Sequence, residues 1–479
     1  MGGALLSSYE EQRLANIASN ERHLRELGIH KLQPPKPVSR APAPSGAQPR
    51  RRTAIAPRER SLRLRNLDVD GSQIPEREVK PLIAPEPKRQ RQSGPLDASK
   101  VTAGSTTAED ASRFFEAVGP ALAQTSSEPR ITETERKDGD AADASLLNDL
   151  RSLSVRDDDI AKLVPERIFS LSFHPSPTKL LAAAGDTWGR IGLWDCDQRE
   201  HASSPCVVTF ETHSRPVSGI RISSHRPTSL LSCSHDGCLR SLDLGGVGKS
   251  VVLCTAPEVD GETAMMHDIS EADDAGSVYV CCSDGSVMFV DPRSPTARVL
   301  GRLHEKKIFT VQRSAVQPSL LATASLDRTA RVWDVRQLDV KGKSIKPLCT
   351  IEHGLSVTGA HWSPVGCRLL TTCNDNTLRV FSSGTSWSRP SCIVSPSHNC
   401  KTGRYITSFQ AVWAPASDSV FVCGSLRQPR GVDVYSTSEE MPVLRLQDDN
   451  QTSVTSLHCF HQSGAMAAAN GSGRVMLWR

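Results

Sequence analysis

The chain has 479 residues and a formal net charge of +4. That length is ample for a buried core, and so small a net charge means that any surface for nucleic acid must be local. No apolar run approaches the ~18 residues of a membrane span, and the N-terminus lacks the basic-then-apolar pattern of a secretory signal, so a soluble, intracellular protein with no membrane partner is expected.

The first predicted element is "SSYEEQRLANIASNERHLRELGI". Ser7 or Ser8 can cap it, Glu10 and Glu11 fall in the first turn where carboxylates favour the helix dipole, and Gly28 can end it. Leu14, Ile17, Leu24 and Leu27 form an apolar stripe at helical spacing. A lone helix of this length is marginal in water. The stripe therefore wants a partner, the rest of this chain or another protein, unless the helix is only transient. Residues 1–30 are thus read as an amphipathic helix.

Residues 31–150 are rich in Pro, Ala, Ser, Arg and charge. Such a segment cannot bury enough apolar surface to offset chain entropy, so a mostly disordered linker is expected. It carries two basic clusters, Arg50, Arg51 and Arg52, then Lys88, Arg89 and Arg91. Clusters of this kind suit nuclear import or nucleic-acid contact, and are also common as plain solvated charge. "SRFFEAVG" at 112–119 is the arm's aromatic island and a candidate short binding motif.

From residue 151 to 479 one pattern recurs: a strand, a turn, small residues, an Asp- or Gly-bearing turn, then a β-run ending in a bulky residue. The clearest copy is "LLATASLDRTARVWDVR". Aligned on the bulky residue, the copies fall at Trp194, Leu242, Val290, Trp333, Phe381, Tyr435 and Trp478, spaced by 43 to 54 residues. WD40 blades repeat at about 40–45 residues, so the fold class is all-β: a seven-bladed WD40 β-propeller behind a long, mostly disordered arm carrying one short helix. The chain stops one residue after Trp478. The last blade then has three strands of its own, and "DIAKLV" at 159–164 is the candidate fourth.

His304, Asp327 and Trp333 look like a blade's internal hydrogen-bonded set, echoed by His213 with Asp236 and His353 with Asp375. Their recurrence at blade period favours a structural role over a catalytic triad. The 14 cysteines include no Cys-x-x-Cys pair and sit mostly in strand-like runs, which reads as buried apolar use in a reducing compartment. With no phosphate loop, zinc spacing or nucleophile elbow, an enzyme is not expected, and no cofactor, metal or small-molecule substrate is implied.

Two features carry resemblances. The first is "WDVR", with Trp333, Asp334 and Arg336, preceded one blade earlier by Asp291 and Arg293 in "VDPR". This box resembles that of the receptors docking on the adaptor of cullin-4 ubiquitin ligases; Asp-x-Arg can also be a merely local pair. The second is the long segment "HNCKTGRYITSFQAVWAP", with Lys401, Arg404 and Tyr405. With "AAAGDTWGRIGLWD" and the N-terminal helix, it resembles the family of WD-repeat-containing protein 76 and its fungal damage-binding counterparts. "LHEKKIFTV" further resembles the DNA-reading subunit of the UV-damaged-DNA-binding complex. The resemblance implies DNA contact by Lys307, near Arg167, and by the loop at 398–405, and Lys306 beside Lys307 is a further candidate. That relative's aromatic wedge is replaced here by Lys401, Thr402 and Gly403, so lesion specificity would rest on Tyr405, unless Tyr405 packs as a core aromatic. Two functions follow as expectations. One is a nuclear protein of the DNA-damage response that binds duplex DNA, with the cullin-4 adaptor as a further partner. The other is a chromatin scaffold for histones or peptides with no DNA contact.

Overall fold

The seven bulky residues that mark the repeat all fall on one position of the architecture. The computed structural model describes residues 90–123 and 139–479, apart from short stretches at 199–205, 223–224, 247, 260, 274, 295–296, 339–344, 367 and 384–385. Within it, seven antiparallel sheets of four propeller strands each form blades at 168–211, 217–255, 266–302, 308–352, 357–394, 412–446 and 455–478. Trp194, Leu242, Val290, Trp333, Phe381, Tyr435 and Trp478 each sit in the third strand and are buried. Each pairs with the start of the second strand, as in Leu321 opposite Trp333 and Phe421 opposite Tyr435. A large side chain here fills the space between neighbouring blades, which explains why the repeat is detectable at that residue.

The ring closes with a strand from before the first blade. Strand Ile160–Lys162 pairs antiparallel with Arg474–Trp478, supplying blade seven with its outer strand. The closure is reinforced beyond the strand. Ser154 and Arg479 exchange both backbone hydrogen bonds, and the Arg479 guanidinium meets buried Asp159 at 2.6 Å.

The expectation of a linker through residue 150 differs from the structure. Helix α1, Ala108–Ala123, buries Phe114, Phe115, Val118 and Leu122 against Phe210 and Leu242 of blades one and two. Helix α2, Gly139–Ser152, carries Leu150 and leads into Val155, and both join the core of blades six and seven. The island "SRFFEAVG" is thus a helical stripe seated on the ring. Local composition concealed this, because the apolar partner lies elsewhere in the chain. The amphipathic helix of residues 1–30, the cluster Arg50–Arg52 and, of the second cluster, Lys88 and Arg89 lie outside the described residues.

In every blade the first strand starts at one rim and the antiparallel order alternates from there. Connections between blades, and turns between second and third strands, therefore share that rim. Turns after the third strand share the opposite one.

Candidate nucleic-acid interface

A β-bulge follows the first residue of the inner strand in six blades, as at Ile168/Ser170, Met266/Asp268 and Ile308/Thr310. A bulge leaves one residue unpaired and re-aims its side chain. The residues freed this way in blades one, three and four are Phe169, His267 and Phe309, all lining the central cavity of about 480 Å³. His235, from blade two, completes an aromatic arc. Phe169 meets His235 edge-on at 6.0 Å, His235 meets His267 at 4.7 Å, and His267 meets Phe309 at 6.3 Å. Burial pushes His235 down to about 4 and His267 to about 3, with the nearby Lys307 charge adding to both. Both imidazoles are neutral at physiological pH.

A cation stands at each end of this arc. The Arg167 guanidinium lies 4.8 Å from the Phe169 ring centroid, and Lys307 Nζ lies 4.4 Å from that of Phe309, both within cation–π range. Both side chains are half-buried, and burial lowers the pKa of each. Lys306, next to Lys307, is exposed.

The segment between blades five and six crosses to the same mouth. It is fixed at its start, where His398 bonds the Tyr435 hydroxyl (2.7 Å) and donates to the Gly424 carbonyl (2.8 Å). It is fixed again at its end, where Phe409 is buried and the Thr407 hydroxyl donates to the Ile168 carbonyl at 2.5 Å. Between these pins Arg167 Nη1 donates to the Arg404 carbonyl at 2.6 Å. Arg167 therefore holds the loop while facing the mouth. Lys401, Arg404 and Tyr405 are exposed at the tip, Tyr405 with 80% of its surface accessible. The alternative of a core aromatic at Tyr405 is thereby corrected: the blade-six core position belongs to Phe409 and Tyr435.

The structure thus brings Arg167, Lys306, Lys307, Lys401, Arg404 and Tyr405 to one rim. The aromatic arc is not visible in the sequence, because a bulge leaves no residue-level signature. A further cation on this rim is Arg215, exposed two residues before the first strand of blade two. Lys306 stands at the same place in blade four, so aligning blade starts as well as blade ends would have found Arg215.

The Asp-x-Arg pairs lie on the opposite rim. Arg336 Nε and Nη2 donate to the two Asp334 carboxylate oxygens at 2.9 and 2.7 Å. Arg293 repeats the fork on Asp291 at 3.0 and 2.9 Å. These side chains remain 74% and 58% exposed. Trp333, included in the docking box by sequence, is buried and donates its indole N–H to Thr323. It can orient the box but offers no surface.

The internal blade sets are clear. His304 bonds Asp327 (2.8 Å) and Thr323 (2.7 Å), and His213 bonds Asp236 (3.1 Å) and Ser232 (2.9 Å). The third set differs. Arg379 stands between His353 and Asp375, at 2.5 and 3.0 Å, and a resident guanidinium makes this cluster with Cys373 a poor place for a metal cation.

Comparison with known proteins agrees with this architecture. The model "WD domain, G-beta repeat" matches residues 204–242, 300–334 and 345–382. "WD repeat-containing protein 76" of Rhinolophus ferrumequinum is 31% identical over 98% of this chain and 73% of its own length. The same-named protein of Xenopus laevis is 30% identical over 98% and 80%. "DNA damage-binding protein CMR1" of Phaeosphaeria nodorum is 31% identical over 99% and 98%. With the N-terminal arm, the closed ring and every blade inside these matches, the chain belongs to the family of WD repeat-containing protein 76 and DNA damage-binding protein CMR1.

Proposed function

We propose that this chain is a nuclear protein of the DNA-damage response that binds duplex DNA across the channel mouth. The observation that carries this reading is the convergence of cations from blades one and four and from the 398–410 loop on one rim, around a half-buried aromatic arc. Lys306, Lys401 and Arg404 are exposed and make no ion pair among the described residues, so their charge is available to phosphates, the dominant source of affinity for duplex. Arg167 and Lys307, held against aromatic faces, fix the geometry beneath them. Tyr405 at the loop tip presents a ring that can stack on an exposed base or wedge at a distorted step. The names carried by the fungal relatives, DNA damage-binding protein, support this assignment. On the opposite rim, the exposed Arg293 and Arg336 form a repeated surface on adjacent blades, suited to the adaptor of a cullin-4 ligase.

The test is titration of the full chain with plain and UV-irradiated duplex at two salt concentrations. Lys306→Gln, Lys401→Gln and Arg404→Gln should each weaken binding on all sequences alike and flatten the salt slope by about one unit. Absence of salt-dependent duplex binding would overturn the reading in favour of a histone- or peptide-binding scaffold.

A further inference from the structure

The arm does not leave the ring freely at residue 150; it straps two blades first. Leu96 and Asp97 pair antiparallel with Ser250 and Lys249 on the outer strand of blade two. The chain then crosses to the outer strand of blade one, where the Ala103 N–H donates to the Thr209 carbonyl (2.9 Å) and the Glu211 N–H donates to the Val101 carbonyl (2.7 Å). Helix α1 seals the crossing, with Phe115 stacked on Phe210 at 5.6 Å.

Upstream of the strap, Arg240 of blade two does something unusual for an arginine. It is almost fully buried, and its guanidinium donates to the carbonyls of Gln92 (2.5 Å) and Gly94 (3.3 Å) in the arm. No carboxylate lies within ion-pair distance of it among the described residues. A buried charge is costly unless its donors are satisfied. Within blade two its one hydrogen-bond partner among the described residues is the Ser250 hydroxyl at 3.5 Å, so most of its donors are satisfied by the arm strand, and Arg240 fixes residues 92–94 in return.

That fixation delivers Arg91 to the rim already described. Arg91 is exposed, and its Nη2 donates to the Thr263 hydroxyl at 2.5 Å. With Arg215 and His235 it lines a hollow of about 230 Å³ beside the channel mouth. His235 is a member of the aromatic arc, so hollow and mouth are contiguous. Two carboxylates line the same hollow. Asp236 is engaged by His213 and by the Ser214 N–H. Glu262 is exposed and makes no ion pair among the described residues.

We propose that the strap is part of the DNA surface: Arg91, positioned by Arg240, and Arg215 take backbone phosphates of the duplex that crosses the mouth, extending its footprint over blades two and three. Arg240 is a positioning residue and touches no DNA. Glu262 opposes the contact. This inference rests on the reading of the mouth as a DNA surface.

The experiment uses the full chain and a labelled 30-base-pair duplex (a length of about three turns), with affinity followed across a salt series. Arg91→Gln and Arg215→Gln should each lower affinity roughly fivefold at about 0.15 M salt and reduce the slope by about one. Glu262→Gln should raise affinity, an effect that a purely structural role for the hollow does not give. Arg240→Met removes the anchor and keeps the volume. It should weaken binding about as much as Arg91→Gln, and combining the two should cost little more than either alone. If Arg240→Met does not fold, the opposite responses of Arg91→Gln and Glu262→Gln still decide the question. Unchanged affinity and slope in Arg91→Gln, or fully multiplicative losses in the Arg91 and Arg240 pair, would sink the proposal. Lys401→Gln with Arg404→Gln separates the two readings. If that pair loses slope and Arg91→Gln does not, the mouth stands and the strap falls; if the unmodified chain shows no salt-dependent binding, both fall.

Discussion

Tyr405 and Tyr435 show how one residue type serves two ends within thirty residues of chain. Tyr435 is buried, stacked on Phe421 at 5.4 Å and bonded through its hydroxyl to His398. Tyr405 projects from a loop whose cationic neighbours, Lys401 and Arg404, are exposed like itself. A large apolar ring left this accessible contributes little to the folded state, since almost none of its area is removed from water. Tyr405→Ala should therefore leave the melting temperature unchanged. On DNA the same substitution should cost about 1–3 kcal/mol if the ring stacks on a base, with no change in salt slope because no charge is lost. It should also abolish any preference for distorted over regular duplex, because a damaged step is cheaper to unstack than an intact one. Calorimetry together with binding to plain and irradiated duplex checks all three outcomes. A drop in melting temperature with the damage preference kept would return Tyr405 to a packing role.

At the scale of elements, closure of the ring depends on a strand from before the first blade, and one glycine shows how tightly that strand fits. Gly473 has φ +82°, and a Cβ there would lie 1.9 Å from the Val164 carbonyl oxygen. Gly473→Ala is thus strained twice, by its backbone conformation and by collision with the closing segment. It should destabilise the protein by roughly 1–3 kcal/mol or more, seen as a lower unfolding midpoint in urea. A midpoint equal to that of the unmodified chain would mean that the closing strand contributes little. The closing strand was legible in sequence because the seventh repeat shows three strand-like runs and a further one, "DIAKLV", precedes the first blade. The blades were legible because one bulky residue per repeat must be buried in the third strand. The strap was not legible. Its apolar residues, Phe114, Phe115, Val118 and Leu122, are too few to hold a helix alone, and the groove that receives them is built by blades one and two. The aromatic arc was hidden for a different reason, since Phe169, His267 and Phe309 look like ordinary strand residues until a bulge turns them towards the channel.

Over the whole molecule, strand direction separates the two candidate surfaces. In blade four the third strand begins at Thr329, beside the His304–Asp327 set, and ends at Asp334. Lys306 and Lys307 precede the first strand at the same rim as Thr329, while Arg336 follows Asp334 at the other. Six residues of strand at ~3.3 Å each place roughly 20 Å of packed sheet between them, well beyond the ~8 Å screening length at physiological salt. Charges on one rim should therefore have little influence on binding at the other. Arg336 and Arg293 each keep an Asp-bound fork while most of the side chain faces solvent, so their exposed edges can donate to a partner's carbonyls or carboxylates. The Arg293→Ala, Arg336→Ala double substitution should reduce capture of a cullin-4 adaptor by roughly tenfold or more, and leave both duplex affinity and its salt slope unchanged. Lys306→Gln with Arg404→Gln should do the reverse. Pull-down of the adaptor and duplex titration, run on both variants, give a two-by-two result. Undiminished capture by the double-arginine variant would remove the ligase from the function of this face. Crossed effects, with each variant impairing both partners, would mean that the ring transmits between its rims, which a rigid closed propeller of this kind is not built to do.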